Sequence, residues 1–287
     1  MDYLLLTLAS FTAAVQNIFK KKYNAKARGG VFLFSALASA MAALVFIVTS
    51  KDSGFSVHQL PYSFGFAAAY CGAIVFSILA INTGPLATTN LFLSCSLLIP
   101  TFYGIIALRE EIKPTLIAGI VLLVAAIFLT NYVKGEKDED RRTSLKWIIY
   151  VTLAFVANGM CSTVQKMESN VFGAYGKNTF MIIALACVVA AMLICTVSVK
   201  KERENVKDNL KGGVILILLC GLFNGATNAL VMLLNERIPA SVMFPVISAF
   251  GMILIFIYSV TVIKEKYSIV QKIGYAFGLI SVILLNL

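Results

Sequence analysis

Charge is what this chain has least of. Only 13% of its 287 residues are Asp, Glu, Lys or Arg, against 59% hydrophobic ones, and its mean hydropathy is +0.87. A soluble globule of this length must cover itself with polar groups that this composition does not supply. A soluble enzyme or binding domain is therefore excluded, and an integral membrane protein is implied. Histidine is nearly absent as well: His58 is the only one, in a segment between two apolar runs. Without a second imidazole, a CxxC pair, a Gly-rich phosphate cradle or a GxSxG elbow, neither a metal centre nor a hydrolytic site can be assembled. We expect no enzymatic activity, no cofactor and no metal. Cys71, Cys95, Cys161, Cys187, Cys195 and Cys220 all fall inside apolar runs, where a thiol acts as a small buried hydrophobe.

Acids are scarcer than bases, 14 against 24, which leaves a formal net charge of +10. In a soluble protein that excess would suggest nucleic acid, because clustered Lys and Arg neutralise phosphates. Here the bases sit in short segments between apolar runs, the pattern that anchors cytoplasmic loops at a membrane surface. The expected partners are the lipid bilayer and a small-molecule solute, with no nucleic acid.

What the chain has in quantity is apolar length. Ten runs can be cut at charged or Pro/Gly-containing punctuation, at about 3–19, 31–49, 62–81, 87–108, 114–133, 147–165, 178–199, 212–234, 240–263 and 269–287. Each approaches the roughly 20 residues a helix needs to cross the hydrocarbon core. Barrel strands would be shorter and would alternate polar with apolar residues. The first run could pass for a signal peptide, but its basic cluster, Lys20 to Lys22, follows the apolar stretch instead of preceding it. A retained first span is expected.

The polar segment Lys134 to Lys146 divides the runs five and five. Across it, Thr7-Leu8-Ala9 recurs as Thr152-Leu153-Ala154, and Ala36-Leu37-Ala38 as Ala184-Leu185-Ala186. Two hairpins match more closely. Each is a Pro-initiated apolar run, a charged turn and a second apolar run with a glycine nine residues after a glutamate, Glu110 to Gly119 and Glu265 to Gly274. Aligning Pro85 with Pro239 would instead pair Glu111 with Glu265, so the register is ambiguous by one residue. The expected organisation is a first five-helix repeat at 1–133, a linker at 134–146 and a second repeat at 147–287. Because five is odd, the second half must enter the membrane from the opposite side. The expected fold is an all-α integral membrane protein, ten transmembrane helices in two inverted-topology repeats, an arrangement suited to exposing a midplane site to each side in turn. Eighteen of the 24 Lys and Arg fall in the odd-numbered loops 1–2, 5–6, 7–8 and 9–10, so both termini are expected outside.

This pattern resembles the drug/metabolite transporter superfamily, specifically its members with two EamA-type domains. The residues that carry the resemblance are Pro85 and Pro239, the Arg109-Glu110-Glu111 and Lys264-Glu265-Lys266 turns, and Gly119 and Gly274. The resemblance implies a ten-helix carrier of the cell membrane. It also implies a cavity walled by spans 1, 3, 4, 6, 8 and 9, with hairpins 4–5 and 9–10 holding the halves together.

All fourteen acids fall in loops or at span ends, so the mid-membrane carboxylate of a proton-coupled cation exporter has no candidate. The polar residues within spans are neutral. Asn158 and Ser162 share a face of span 6, Asn224 and Asn228 share a face of span 8, Gln16 and Asn17 lie in span 1, and Ser94 and Ser96 in span 4. Amides in hydrocarbon are costly unless hydrogen-bonded, so these faces should point inward, either to bridge helices or to line a polar cavity. Tyr70 adds a phenol that could wall it. The expected substrate-binding set is Gln16, Asn17, Tyr70, Ser94, Asn158, Ser162, Asn224 and Asn228. Glu110, Glu111 and Glu265 are expected to cap the helices that follow them, and Lys166 to reach the interface.

The expected function is secondary-active transport, in the export direction, of a small neutral or zwitterionic metabolite such as an amino acid, with a monomer sufficing. The alternatives are an anionic solute bound by Lys21 and Lys166, and a non-transporting membrane receptor or scaffold.

Overall fold

The computed structural model describes residues 2–26, 30–50, 54–84, 86–130, 145–264 and 267–285. Pro85, Glu265, Lys266 and most of the 134–146 linker lie outside the described residues. Among the described residues there is no strand. The helices are α1 (Asp2–Lys26), α2 (Val31–Thr49), α3 (Leu60–Thr83), α4 (Leu86–Cys95), α5 (Leu98–Ile106), α6 (Pro114–Thr130), α7 (Leu145–Phe172), α8 (Lys177–Ser198), the short α9 (Lys200–Glu204), α10 (Val206–Leu234), α11 (Ala240–Tyr258) and α12 (Ile269–Leu285). Each of the ten apolar runs becomes helical, the fourth as the broken pair α4 and α5. Six helical stretches are long and apolar enough to cross a bilayer: Val31–Thr49, Val57–Thr83, Leu145–Phe172, Lys177–Ser198, Gly213–Leu234 and Ala240–Val262. Phe92–Ile106, Pro114–Thr130 and Ile269–Leu285 are shorter and equally apolar in character. The protein is an all-helical membrane protein.

The helices gather into two compact units, and each unit draws on both halves of the sequence. The first comprises Met1–Cys71 and Met167–Arg237. There α1 packs along α10, and α2 packs against both α8 and α10. Small residues set the last contact: a Cβ added to Gly221 would lie 2.5 Å from the Ala38 carbonyl oxygen, and one added to Gly225 would lie 2.8 Å from Val45 Cβ. The Gly221 to Gly225 spacing therefore serves close helix approach. Helix α2 starts at Gly30, whose φ of 90° is left-handed. Glu202 reaches that start from α9, and its Oε1 accepts hydrogen bonds from the backbone N–H groups of Gly30 (3.0 Å), Val31 (2.8 Å) and Phe32 (3.5 Å). A carboxylate placed there satisfies donors that no helical turn can reach and faces the positive end of the helix dipole. The start of α8 repeats the backbone geometry, with Gly176 at φ 68°.

The second unit comprises Gly72–Lys166 and Ile238–Leu287. Its α6 and α12 pack antiparallel through the two glycines that the hairpin repeat singled out. A Cβ on Gly119 would meet Leu285, and one on Gly274 would meet Leu129 and Thr130. Ser281 Oγ donates to the Gly119 carbonyl at 2.8 Å. Helix α11 packs on α12 and α5, so the 4–5 and 9–10 hairpins lie against each other. Matching helices that run in opposite directions are what an inverted repeat requires.

The register ambiguity disappears with the backbone. Among the described residues, Arg109 (φ 53°) and Lys264 (φ 61°) are the non-glycine positions in the left-handed region. Each directly precedes its glutamate, so Glu110, not Glu111, is the partner of Glu265.

Candidate solute site

The fourth apolar run breaks because of Pro100. Proline has no N–H to donate to the carbonyl four residues back, which is that of Ser96. The Ser96 carbonyl instead accepts from Ile99 N at 3.0 Å, while Ser96 N turns back to the Leu93 carbonyl at 3.3 Å. The chain therefore turns at residues 96 and 97 between α4 and α5. A helix end leaves carbonyls at one side of such a break and N–H groups at the other without helical partners. Within a bilayer, irregular backbone of this kind persists only against protein or against a water-filled cavity.

Helix α7 covers the break. Asn158 Nδ2 donates to Ser96 Oγ at 2.5 Å, and Ser96 Oγ in turn donates to the Leu93 carbonyl at 2.7 Å. One residue on, Gly159 lets α7 approach: a Cβ there would lie 2.5 Å from Ile99 Cδ1 and 2.7 Å from the Ser96 carbonyl oxygen. Ser96 is fully buried, Asn158 and Ser162 are half-buried, and Ser94 is exposed. The second unit thus brings Asn158 and Ser96, both neutral hydrogen-bonding groups, together at a helix interruption, while Ser94 lies on α4 and Ser162 on α7. Ser96, which joins the two elements, was not in the expected substrate-binding set; its place four residues before Pro100 marks its carbonyl as the one freed.

In the first unit the polar residues are more fully engaged. Thr227 Oγ1 lies 2.9 Å from Thr12 Oγ1 and ties α10 to α1. Asn228 Nδ2 donates to the Asn224 carbonyl at 2.9 Å and to Asn224 Oδ1 at 3.0 Å, bonds that stay within α10. Asn224 is buried, Gln16 is half-buried, and the Gln16 carbonyl accepts a weak bond from Cys220 Sγ at 3.6 Å. Asn17 is exposed, on a side of α1 away from the Thr12 contact. Tyr70 stacks on Phe66 with ring centroids 5.9 Å apart.

Two expectations about charged residues are corrected. Glu110 does not cap the helix that follows it. Its carboxylate accepts from Ala240 N and Ser241 N, both at 2.8 Å, and so caps α11. Glu111, one residue on, is exposed. Lys166 does not reach out to the interface: it is 6% exposed, donates to the Ile238 carbonyl at 3.1 Å and lies 4.0 Å from Glu110. It is committed to the start of α11, which weakens the anionic-solute alternative. The side chain of Lys21, the other member of that pair, lies outside the described residues. Burial varies among the described acids in a way that sequence position does not reveal: Glu168 is 0% and Glu202 is 8% exposed.

No curated protein matches the sequence. A solved structure described only as "Crystal structure of protein" is similar over 99% of this chain and 95% of its own, with a TM-score of 0.77 at 14% identity, which is a likeness of fold. Residues 145–287 match the EamA-like transporter family. With its all-helical, multi-span architecture and its EamA-like domain at residues 145–287, the chain is a membrane protein of the drug/metabolite transporter superfamily.

Proposed function

We propose that the protein is a secondary-active exporter of a small neutral or zwitterionic organic solute, with an amino acid as the first candidate. It works by alternating access of two inverted five-helix repeats, residues 1–133 and 147–287, in a monomer with both termini outside. The observation that carries this reading is the α4–α5 break under Asn158. Discontinuous helices near mid-membrane supply hydrogen-bonding backbone to solutes in many carriers, and the side chains around this one are amide and hydroxyl groups. An uncharged or internally balanced solute can be held by such groups without a compensating ion. The antiparallel α6–α12 pair supports the inversion on which alternating access depends.

The test begins with a metabolite screen for thermal stabilisation of the purified protein, since a ligand that binds only the folded state raises its apparent stability by mass action. Hits are then assayed for flux in proteoliposomes. Replacing Asn158 by Ala at unchanged expression should lower flux at least tenfold, the equivalent of losing about 1.4 kcal/mol of solute or transition-state binding. Wild-type flux in that variant would remove Asn158 from the site.

A further inference from the structure

Three glutamate side chains among the described residues are withdrawn from water, and two of them are well compensated. Glu110 receives two backbone N–H bonds and has Lys166 beside it. Glu202 Oε1 receives three backbone N–H bonds at the start of α2, although its Oε2 is enclosed with no partner among the described residues. Glu168 is the exception. It is 0% exposed, and Oε1 accepts a single bond, from Gln59 Nε2 at 2.8 Å. Its Oε2 is enclosed and has no partner among the described residues.

Among the described residues no cation forms an ion pair with Glu168, and Lys177, which acts on it from a distance, is opposed by Glu236. Gln59 comes from the helical turn Val57–Gln59 that leads into α3, and its amide is fixed in orientation. Nε2 gives its other hydrogen to the Tyr175 carbonyl at 2.9 Å, while Oε1 accepts from Ser56 N at 3.3 Å. Lys177, at the start of α8, pairs with Glu236, beyond the end of α10, at 3.5 Å. Arg237 pairs with Asp2 of α1 at 3.2 Å. Of the remaining titratable neighbours, His58 is exposed, the Tyr175 hydroxyl donates to the Phe55 carbonyl at 3.3 Å, and Tyr62 of α3 sits edge-on to Phe172. Enclosing an ionised carboxylate with one neutral donor costs far more than enclosing the uncharged acid.

We propose that Glu168 is a proton-binding site: Oε2 takes up one proton from the aqueous phase, forming an O–H bond and leaving the enclosed group uncharged. Release requires a conformation in which Oε2 meets water or a cation, and the turn carrying Gln59 together with the Gly173–Gly176 turn forms its cover. In a carrier that changes conformation during each cycle, such a site links solute movement to proton movement. This coupling rests on the transport reading above; the proton site itself does not.

The experiment uses the full-length protein in lipid vesicles, without solute, followed by infrared difference spectroscopy as pH is lowered from about 8 to about 5, a range above the ordinary titration of exposed carboxylates. The expected result is an acid carbonyl band that grows as pH falls, is lost in Glu168→Gln and persists at a shifted frequency in Glu168→Asp. Identical spectra for the wild type and a folded Glu168→Gln would overturn the assignment. Should Glu168→Gln fail to fold, Gln59→Leu decides. Loss of the one donor to the ionised form among the described residues should move the band's midpoint to higher pH, and an unmoved midpoint refutes the site. A chain that transports solute but lacks the band would defeat the proton site and leave the transport reading standing. A chain with the band and no flux would do the reverse.

Discussion

Replacing Glu110 by Ala should be among the most damaging substitutions of a charged residue in this protein, although the position lies in a polar turn where sequence alone suggests tolerance. The carboxylate makes two hydrogen bonds of 2.8 Å to the first N–H groups of α11, its side chain is only 11% exposed, and the Lys166 ammonium stands 4.0 Å away. The distances decide which interaction dominates: Lys166 is nearer the Ile238 carbonyl, at 3.1 Å, than the carboxylate. Capping therefore outweighs the ion pair. Each bond to a charged acceptor contributes about 1.5–3 kcal/mol, and removing one partner from a buried charged cluster costs about 3–5 kcal/mol. Because both N–H groups share one carboxylate, the contributions do not add, and we expect a loss of roughly 3–5 kcal/mol in total. For a chain of this length that corresponds to a fall of roughly 10 °C in the unfolding midpoint. The six free cysteines, all half-buried or buried, provide the assay. A thiol-reactive dye reports unfolding of the purified protein on heating, with one scan rate for all variants because the transition is expected to be irreversible. Glu110→Gln keeps one oxygen for one N–H and turns an amide NH₂ toward the other, so it should lose about half as much. Lys166→Met should cost less than Glu110→Ala, and the double variant should be little worse than Glu110→Ala alone. Glu111→Ala, at the exposed neighbouring position, should lie within about 0.5 kcal/mol of wild type. Equal midpoints for Glu110→Ala and Glu111→Ala would refute the reasoning.

Glu202→Ala should cost about 2–4 kcal/mol for the same reason at α2, as read by the same dye assay. Glu204→Ala, whose pair with Lys200 is 3.9 Å long and largely exposed, should change the midpoint by less than about 0.5 kcal/mol. Gly159→Ala puts a Cβ 2.5 Å from Ile99 and 2.7 Å from the Ser96 carbonyl oxygen; we expect about 1–3 kcal/mol of destabilisation together with a loss of flux that Gly72→Ala, with its nearest contact at 3.5 Å, does not share. A double-mutant cycle of Thr12→Val with Thr227→Val should give a coupling of about 0.6 kcal/mol, the usual size for hydrogen bonds between spans. A coupling near zero would show that their 2.9 Å contact contributes only packing.

The site was partly legible. Asn158 and Pro100 could be picked out of span 6 and span 4, because an amide in an apolar run must find a partner and a proline in a helix must free a carbonyl. Their meeting through Ser96 could not be read, because periodicity assigns a residue to a face of its own helix and says nothing about which helix covers that face. Asn17 shows the same limit from the other side: it is adjacent to Gln16 in sequence, yet exposed.

Composition and run length by themselves determined a membrane protein of apolar helices, because the bilayer admits only spans whose backbone is satisfied internally. The matched punctuation also singled out Gly119 and Gly274, which recur at one distance from a glutamate; that each packs against the end of the other's helix came only from the structure. Tertiary structure alone decided what the charged residues do. Glu110 and Glu111 are chemically identical neighbours, and only the left-handed turn at Arg109 sends one to the start of α11 and leaves the other in solvent. Glu168 and Glu202 both follow apolar spans, yet one meets three backbone donors and the other a single amide. The free energy of a charge is set by the groups within a few ångströms of it, and those groups come from residues 109 or more positions away in the chain.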